Sequence, residues 1–144
     1  MFEFSLEPLL IQRKFFEESL QKELAVIQEQ FNSREKALAK LTDSRENCGK
    51  RLGKLGEKGA RISELKLYFE YFKRLSIEQT EMEQALRRIQ ANLEAKRSEV
   101  VEAMKGRKIL ENLKERGLQA YRSKIRKKDM KFADEIAITL FNKS

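Results

Sequence analysis

The stretch "CGKRLGKLGEKGARIS" at residues 48–63 decides how the chain folds, because it crowds four glycines together: Gly49, Gly53, Gly56 and Gly59. Each glycine destabilises a helix interior by about 1 kcal/mol relative to alanine. The cluster therefore predicts that a helix ends here and that the chain turns between Gly53 and Arg61. The stretch is not a Walker A loop, since "GKRLGKL" has three residues between its glycines and a leucine after the lysine.

Both sides of this stretch show the apolar spacing of a coiled coil, with steps of four and three residues. Before the turn, the spacing is kept by Leu20, Leu24, Ile27, Phe31, Leu38, Leu41, Cys48, Leu52 and Leu55. After the turn, it is kept by Leu65, Tyr68, Phe72, Leu75, Met82, Leu86, Ile89, Leu93 and Val100. Arg34 and Arg45 fill the two steps that the first series skips, where they either set the register or extend outward.

The pattern predicts an all-α fold: one long antiparallel two-helix coiled-coil hairpin with a Gly-rich turn and a C-terminal helical overhang. We expect a single coiled-coil domain over residues 1–144, with helix 1 at about 5–52, the turn at about 53–61 and helix 2 at about 62–140. Folding about Gly56 would place Leu24 near Ile89 and Leu6 near Arg107. Residues beyond about 107 would then form the overhang.

Composition excludes several kinds of site. The chain contains no histidine, which removes a Ser-His-Asp triad and a mixed Cys/His zinc site. We therefore expect no catalytic, cofactor or metal residues. Its single cysteine, Cys48, is compatible with a reducing cytoplasm. No apolar run approaches the roughly 20 residues that span a bilayer, and the opening "MFEFSLEPLL" lacks the basic start of a signal peptide.

The overhang is strongly basic in a chain of net charge +8. Its basic residues between 105 and 128 are Lys105, Arg107, Lys108, Lys114, Arg116, Arg122, Lys124, Arg126, Lys127 and Lys128. A solvated helix face, capture of nucleic acid and docking onto an acidic protein all fit this charge. No base-stacking or groove-reading motif accompanies it, and its apolar face is too sparse for a membrane surface. Gly117 interrupts the helix pattern and marks a possible flex point.

Three stretches carry a family resemblance. The start "FEFSLEPLLIQRKFFEESLQKELA", the middle "ISELKLYFEYFKRL" and the end "LENLKERGLQAYRSKIRKKDMKFADEIAITLF" occur in this order over nearly the whole chain. Together they resemble FliJ, a small coiled-coil protein of the bacterial flagellar type III export apparatus. Two features depart from the family pattern: Gly117, where a helix-forming charged residue is more usual, and the richness of the turn in glycine.

The resemblance implies a stalk that inserts into the hexameric flagellar export ATPase and activates it. It also implies contacts with the cytoplasmic domain of the export gate membrane protein and with export chaperones. The protein would be cytoplasmic, peripherally associated with the inner membrane at the flagellar base, with no direct membrane insertion, no nucleic acid and no cofactor. The stalk would not be an enzyme, because the partner supplies the catalytic groups.

Carried onto this chain, the resemblance places the export-gate contact at Tyr71, Leu75 and Met82. Charge and exposure place the ATPase contact on the overhang, at Tyr121, Arg122, Lys124, Arg126, Lys127 and Lys128. Leu75 and Met82 could equally be ordinary hairpin core, whereas Tyr71 lies off the apolar seam. Three alternatives remain: the stalk of a virulence-type secretion ATPase, a basic structural coiled coil that binds nucleic acid, and a self-associating scaffold.

Overall fold

The computed structural model describes residues 1–143, which form two α-helices. Helix α1 runs over Glu7–Glu57 and helix α2 over Ile62–Lys143. The two helices pack against each other, and the described residues contain no strand. The predicted all-α helical hairpin is therefore confirmed.

Helix α1 ends at a tight turn centred on Gly59. This glycine has a φ of +67°, a left-handed backbone conformation that residues with a β-carbon rarely adopt. The Ala60 amide donates to the Leu55 carbonyl at 3.1 Å, and the Gly59 amide donates to the Gly56 carbonyl at 3.4 Å. This is the Schellman arrangement, which satisfies carbonyls that a helix end would leave without a partner.

The helix extends five residues beyond its expected end at about residue 52. Gly53 and Gly56 both lie inside α1, so the glycine cluster does not break the helix where it begins. Leu52 and Leu55 remain partly covered there. Apolar burial by such leucines offsets the helix-propensity cost of two glycines. Within the glycine cluster, Gly59 is the glycine whose backbone conformation favours it, whereas a β-carbon at Gly49 would lie 3.2 Å from Cε2 of Phe72.

Contacts divide the chain into two compact units, and one of them is formed by Leu20–Glu99. Its most buried apolar residues are Leu20, Cys48, Leu75 and Leu93. Every residue predicted for the seam of helix 1 from Leu20 to Leu55 is buried or half-buried. Arg34 is exposed, whereas Arg45 is half-buried and donates from Nε to Ser76 Oγ at 2.9 Å.

The second unit joins Met1–Ser19 to the part of α2 from Val100 onwards. Leu10 is its most buried side chain, and Ala103 and Leu110 are also buried. An ion pair joins Lys114 Nζ to Glu7 Oε2 at 2.8 Å. Because contacts fall into two units, the single-domain interpretation stays a prediction.

The predicted register is wrong by about seven residues. In the Leu20–Glu99 unit, Lys96 Nζ lies 2.8 Å from Glu23 Oε2, so the α1 segment near Leu24 faces residue 96 rather than Ile89. In the other unit, Arg107 pairs with Glu17 rather than lying near Leu6. The error follows from placing the turn at Gly56. When the turn of an antiparallel hairpin moves by one residue, the residue of α2 that faces a given residue of α1 changes by two.

Candidate partner-docking site

The site predicted on the basic overhang lies in the unit formed by Met1–Ser19 and the C-terminal part of α2. Pairing within this unit continues well past residue 107, where the overhang was expected to begin. Lys114 pairs with Glu7, and the ring centroids of Phe2 and Tyr121 are 5.8 Å apart. Residues 124–143 are all exposed and helical. The part of α2 beyond these contacts is therefore shorter than predicted, and we call residues 124–143 the extension.

Gly117 has a packing role that the sequence did not suggest. A β-carbon at this position would lie 3.1 Å from Cζ and 3.3 Å from Cε2 of Phe2. The absence of a side chain thus lets the Phe2 ring approach the helix backbone. Helix α2 runs through Gly117 without a break. The glycine serves close contact between the N-terminal segment and α2.

A buried acid neutralises one of the basic residues that the sequence assigned to the overhang. Glu17 is buried, and the Arg107 guanidinium donates to its carboxylate. Arg107 Nη1 also lies 2.8 Å from Glu111 Oε2. The hydrogen bonds with Glu17, and secondarily with Glu111, raise the pKa of Arg107 above its ordinary range. Arg107 is therefore part of the hairpin seam.

The remaining basic cluster is exposed. Within residues 1–143, ion pairs also engage Lys105 and Lys114. No ion pair forms there to the five basic residues predicted to contact the ATPase: Arg122, Lys124, Arg126, Lys127 and Lys128. All five are exposed. This part of α2 presents concentrated positive charge to solvent, which favours an acidic binding partner.

Tyr121, the predicted apolar anchor beside this cluster, is half-buried. Its ring is tilted by 43° relative to that of Phe2. A partner that reaches Tyr121 in this conformation would also meet Phe2. Phe2 was not among the predicted contact residues, because only the register of the hairpin brings residue 2 to residues 117–121.

The three residues predicted for the gate contact lie in the Leu20–Glu99 unit and differ in exposure. Leu75 is buried in the seam, Met82 is half-buried and Tyr71 is exposed. Of the three, Tyr71 has the side chain most open to a partner in this conformation. The exposed Phe69 and Leu67 precede it on the same helix. The gate contact itself stays a prediction.

No group of acidic, cysteine or histidine side chains among residues 1–143 could hold a metal ion. In the same residues, no helix is long and apolar enough to cross a membrane. Cys48 is buried, and its Sγ lies 3.7 Å from the Tyr68 carbonyl oxygen. This thiol belongs to the seam between the helices.

Fold and surface together define an all-α, two-helix hairpin of the coiled-coil class, with an exposed basic stretch near the C-terminal end of α2. The family model described as "Flagellar FliJ protein" matches residues 2–144, and the chain belongs to this family. No curated protein and no solved structure matched the chain. Membership makes the chain a component of flagellar type III export, in a family whose role there is non-catalytic.

Proposed function

We propose that the chain is the stalk of the flagellar export ATPase, entering the ring of ATPase subunits and raising their rate of ATP hydrolysis. The observation that carries this proposal is the run of exposed basic residues from Arg122 to Lys128, which form no ion pair within residues 1–143. Such a cluster attracts an acidic surface and orients the approach to it. Tyr121 and Phe2, side by side at its start, supply the apolar contact that fixes position.

The stalk contributes no catalytic group in this mechanism. A single helix inside a ring of like subunits presents a different side chain to each of them. Each contact changes the relative free energy of the conformations open to that subunit, so ATP binding and hydrolysis become coupled to stalk position. Because the cluster is exposed, its attraction should weaken as salt screens the charges.

The hairpin is also proposed to contact the cytoplasmic domain of the export gate and to bind export chaperones, at the cytoplasmic face of the inner membrane. Tyr71 is the residue to test for the gate. Its side chain is exposed, whereas replacing the buried Leu75 would disturb the seam itself. Loss of gate binding in Tyr71→Ala, with binding retained in Phe69→Ala, would support this contact. Equal loss in both variants would contradict it.

The ATPase proposal is tested by measuring ATP hydrolysis of the cognate export ATPase with and without the full chain. We expect stimulation by the wild type and loss of most of it when Arg122, Lys124, Arg126, Lys127 and Lys128 are changed to glutamine. The matched control changes five exposed basic residues of the other unit: Arg34, Lys36, Lys40, Lys50 and Lys54. Because both variants lose five charges, only a local role predicts different results.

Two results would contradict the proposal. One is the absence of stimulation by the wild type under conditions where the ATPase is active. The other is equal loss of stimulation in both five-residue variants, which would show a dependence on net charge alone. Binding to DNA that survives physiological salt would instead favour a nucleic-acid function, because weak nonspecific capture fades under screening.

A further inference from the structure

The C-terminal part of the extension has an apolar side that the stalk function does not use. Between residues 130 and 141 the apolar side chains are Met130, Phe132, Ala133, Ile136, Ala137, Ile138, Leu140 and Phe141. Residues three, four and seven apart lie on one side of a helix. All of these except Ile138 consequently fall within about half of the helix circumference. Lys131, Asp134, Glu135 and Thr139 occupy the other half.

This side is richer in apolar residues than the sparse apolar face predicted for the overhang as a whole. Large side chains on it are exposed, among them Met130, Phe132, Ile136 and Leu140. An apolar half-circumference is broader than the strip that seals a two-stranded coiled coil. Its width suits a helix that lies in an interface with its apolar half immersed, with the basic residues supplied by the preceding turns because the polar half carries Asp134 and Glu135 beside Lys131.

The basic residues N-terminal to this apolar side indicate that the interface is negatively charged. Basic residues crowd the turns from Arg122 to Lys128, and Lys131 follows on the polar half. Asp129 is the single acid before Asp134 in this part of α2. Anionic headgroups attract basic residues beside an immersed helix, and the attraction changes binding by about fivefold for each residue near the surface. An uncharged bilayer offers no such attraction.

We propose that residues 130–141 form a lipid-surface anchor, which lies flat on an anionic bilayer with Phe132, Ile136 and Leu140 immersed in it. The helix stays in the interface and does not cross it, in keeping with the absence of a membrane-spanning helix among residues 1–143. The anchor lies C-terminal to the residues proposed to contact the ATPase. It goes beyond the stalk function, since lipid binding needs no ATPase.

The test uses the full chain and vesicles, in a flotation assay. One vesicle is pure phosphatidylcholine, and the other contains about 30% phosphatidylglycerol to supply negative charge. We expect the wild type to float with the anionic vesicle only, and binding to fall as NaCl is raised. The variant Phe132→Gln/Ile136→Gln/Leu140→Gln should bind about tenfold or more weakly, because it removes three immersed side chains.

The matched control is Ile11→Gln/Phe15→Gln/Leu67→Gln. Phe15 and Leu67 are 67% and 68% exposed, close to Phe132 at 65% and Leu140 at 64%. Ile11 is 46% exposed, beside Ile136 at 44%. The control should bind anionic vesicles as the wild type does. Circular dichroism of both variants checks that helix content is kept, so that lost binding reports lost contacts.

Several results would overturn the anchor. These are no binding of the wild type to anionic vesicles, equal loss in the control, or undiminished binding of the Phe132/Ile136/Leu140 variant. A wild-type dimer in sedimentation that this variant abolishes would assign the apolar side to a second copy of the chain. Another result would assign the apolar side to a groove of a partner protein. In that case the wild type would not bind vesicles, and only the Phe132/Ile136/Leu140 variant would lose ATPase stimulation in the absence of lipid. Because ATPase stimulation is measured without lipid, a failure of the stalk proposal can be distinguished from a failure of the anchor proposal.

Discussion

The ring of Phe2 lies against Gly117, where a β-carbon would come within 3.1 Å of Phe2 Cζ. Two residues separated by most of the chain are thereby in direct contact. The contact explains why a helix as long as α2 carries a glycine at this position, and it connects the N-terminal segment to the turn of α2 that holds Tyr121.

Gly117→Ala should therefore give less stability than helix propensity alone predicts. In a Phe2→Ala background, we expect the substitution to stabilise the chain by about 1 kcal/mol, the usual gain for alanine over glycine. With Phe2 present, the ring must shift, and most of this gain should disappear. Urea unfolding of the four proteins measures the coupling. Gly106→Ala is the control, because its β-carbon would meet only Arg13 Nη1, at 3.9 Å. Additive effects at Gly117 and Phe2 would contradict the packing role.

Leu10 should be the most sensitive leucine at the start of α1. It is 1% exposed, whereas its neighbour Leu9 is 37% exposed. Leu10→Ala should destabilise the chain by about 2–5 kcal/mol, since it leaves a cavity in the seam. Leu9→Ala should cost much less. Thermal or urea unfolding compares the two variants, and similar losses would mean that the seam does not run through Leu10.

The Glu17–Arg107 pair should be costly to break and easy to replace. Arg107→Met removes the guanidinium that donates to the buried Glu17 carboxylate, so the urea midpoint should fall. Adding Glu17→Leu to this variant should restore most of the loss, because no charge is then buried. Lys105→Met serves as the control, since Lys105 and Glu102 form an exposed pair that contributes little. A double variant as unstable as Arg107→Met would contradict the assignment.

Lys96 should make a contribution to stability that disappears at high pH. Its pKa is raised above the ordinary 10.5 by hydrogen bonds with Glu23 and then Glu99. A raised pKa means that the folded state holds the proton more tightly than the unfolded state. The contribution is therefore complete below about pH 10.5 and is lost as pH rises through the higher folded value. The difference in urea midpoint between wild type and Lys96→Met should be constant near pH 8 and shrink above pH 10.5. A difference that stays unchanged at high pH would contradict the pair.

Crosslinking distinguishes the observed register from the one predicted by the sequence. In a Cys48→Ser background, a short bifunctional thiol reagent should join Glu23→Cys to Lys96→Cys within one chain. Leu24→Cys with Ile89→Cys should not react in this way, because seven residues of helix amount to about 10 Å. Mass spectrometry of the monomer band gives the result. Preferential crosslinking of the second pair would restore the predicted register.

The sequence by itself determined the class of fold. Heptad spacing from Leu20 to Leu55 fixed which side of α1 would be covered, and every one of those residues is buried or half-buried. The glycine cluster predicted a single reversal of the chain, and the longer periodic segment after it predicted a helical overhang beyond the hairpin. These features depend on local spacing and composition, which a sequence displays directly.

Only the tertiary structure decided the register, and the physical reason lies in the repeat itself. A slip of seven residues is one heptad, so it returns apolar residues to apolar positions and leaves the pattern equally satisfied. What distinguishes one register from the next is a few specific contacts, such as Glu17 with Arg107 and Phe2 with Gly117. In the observed register the extension starts at about residue 124 rather than 107, Arg107 lies in the seam, and Phe2 lies beside Tyr121.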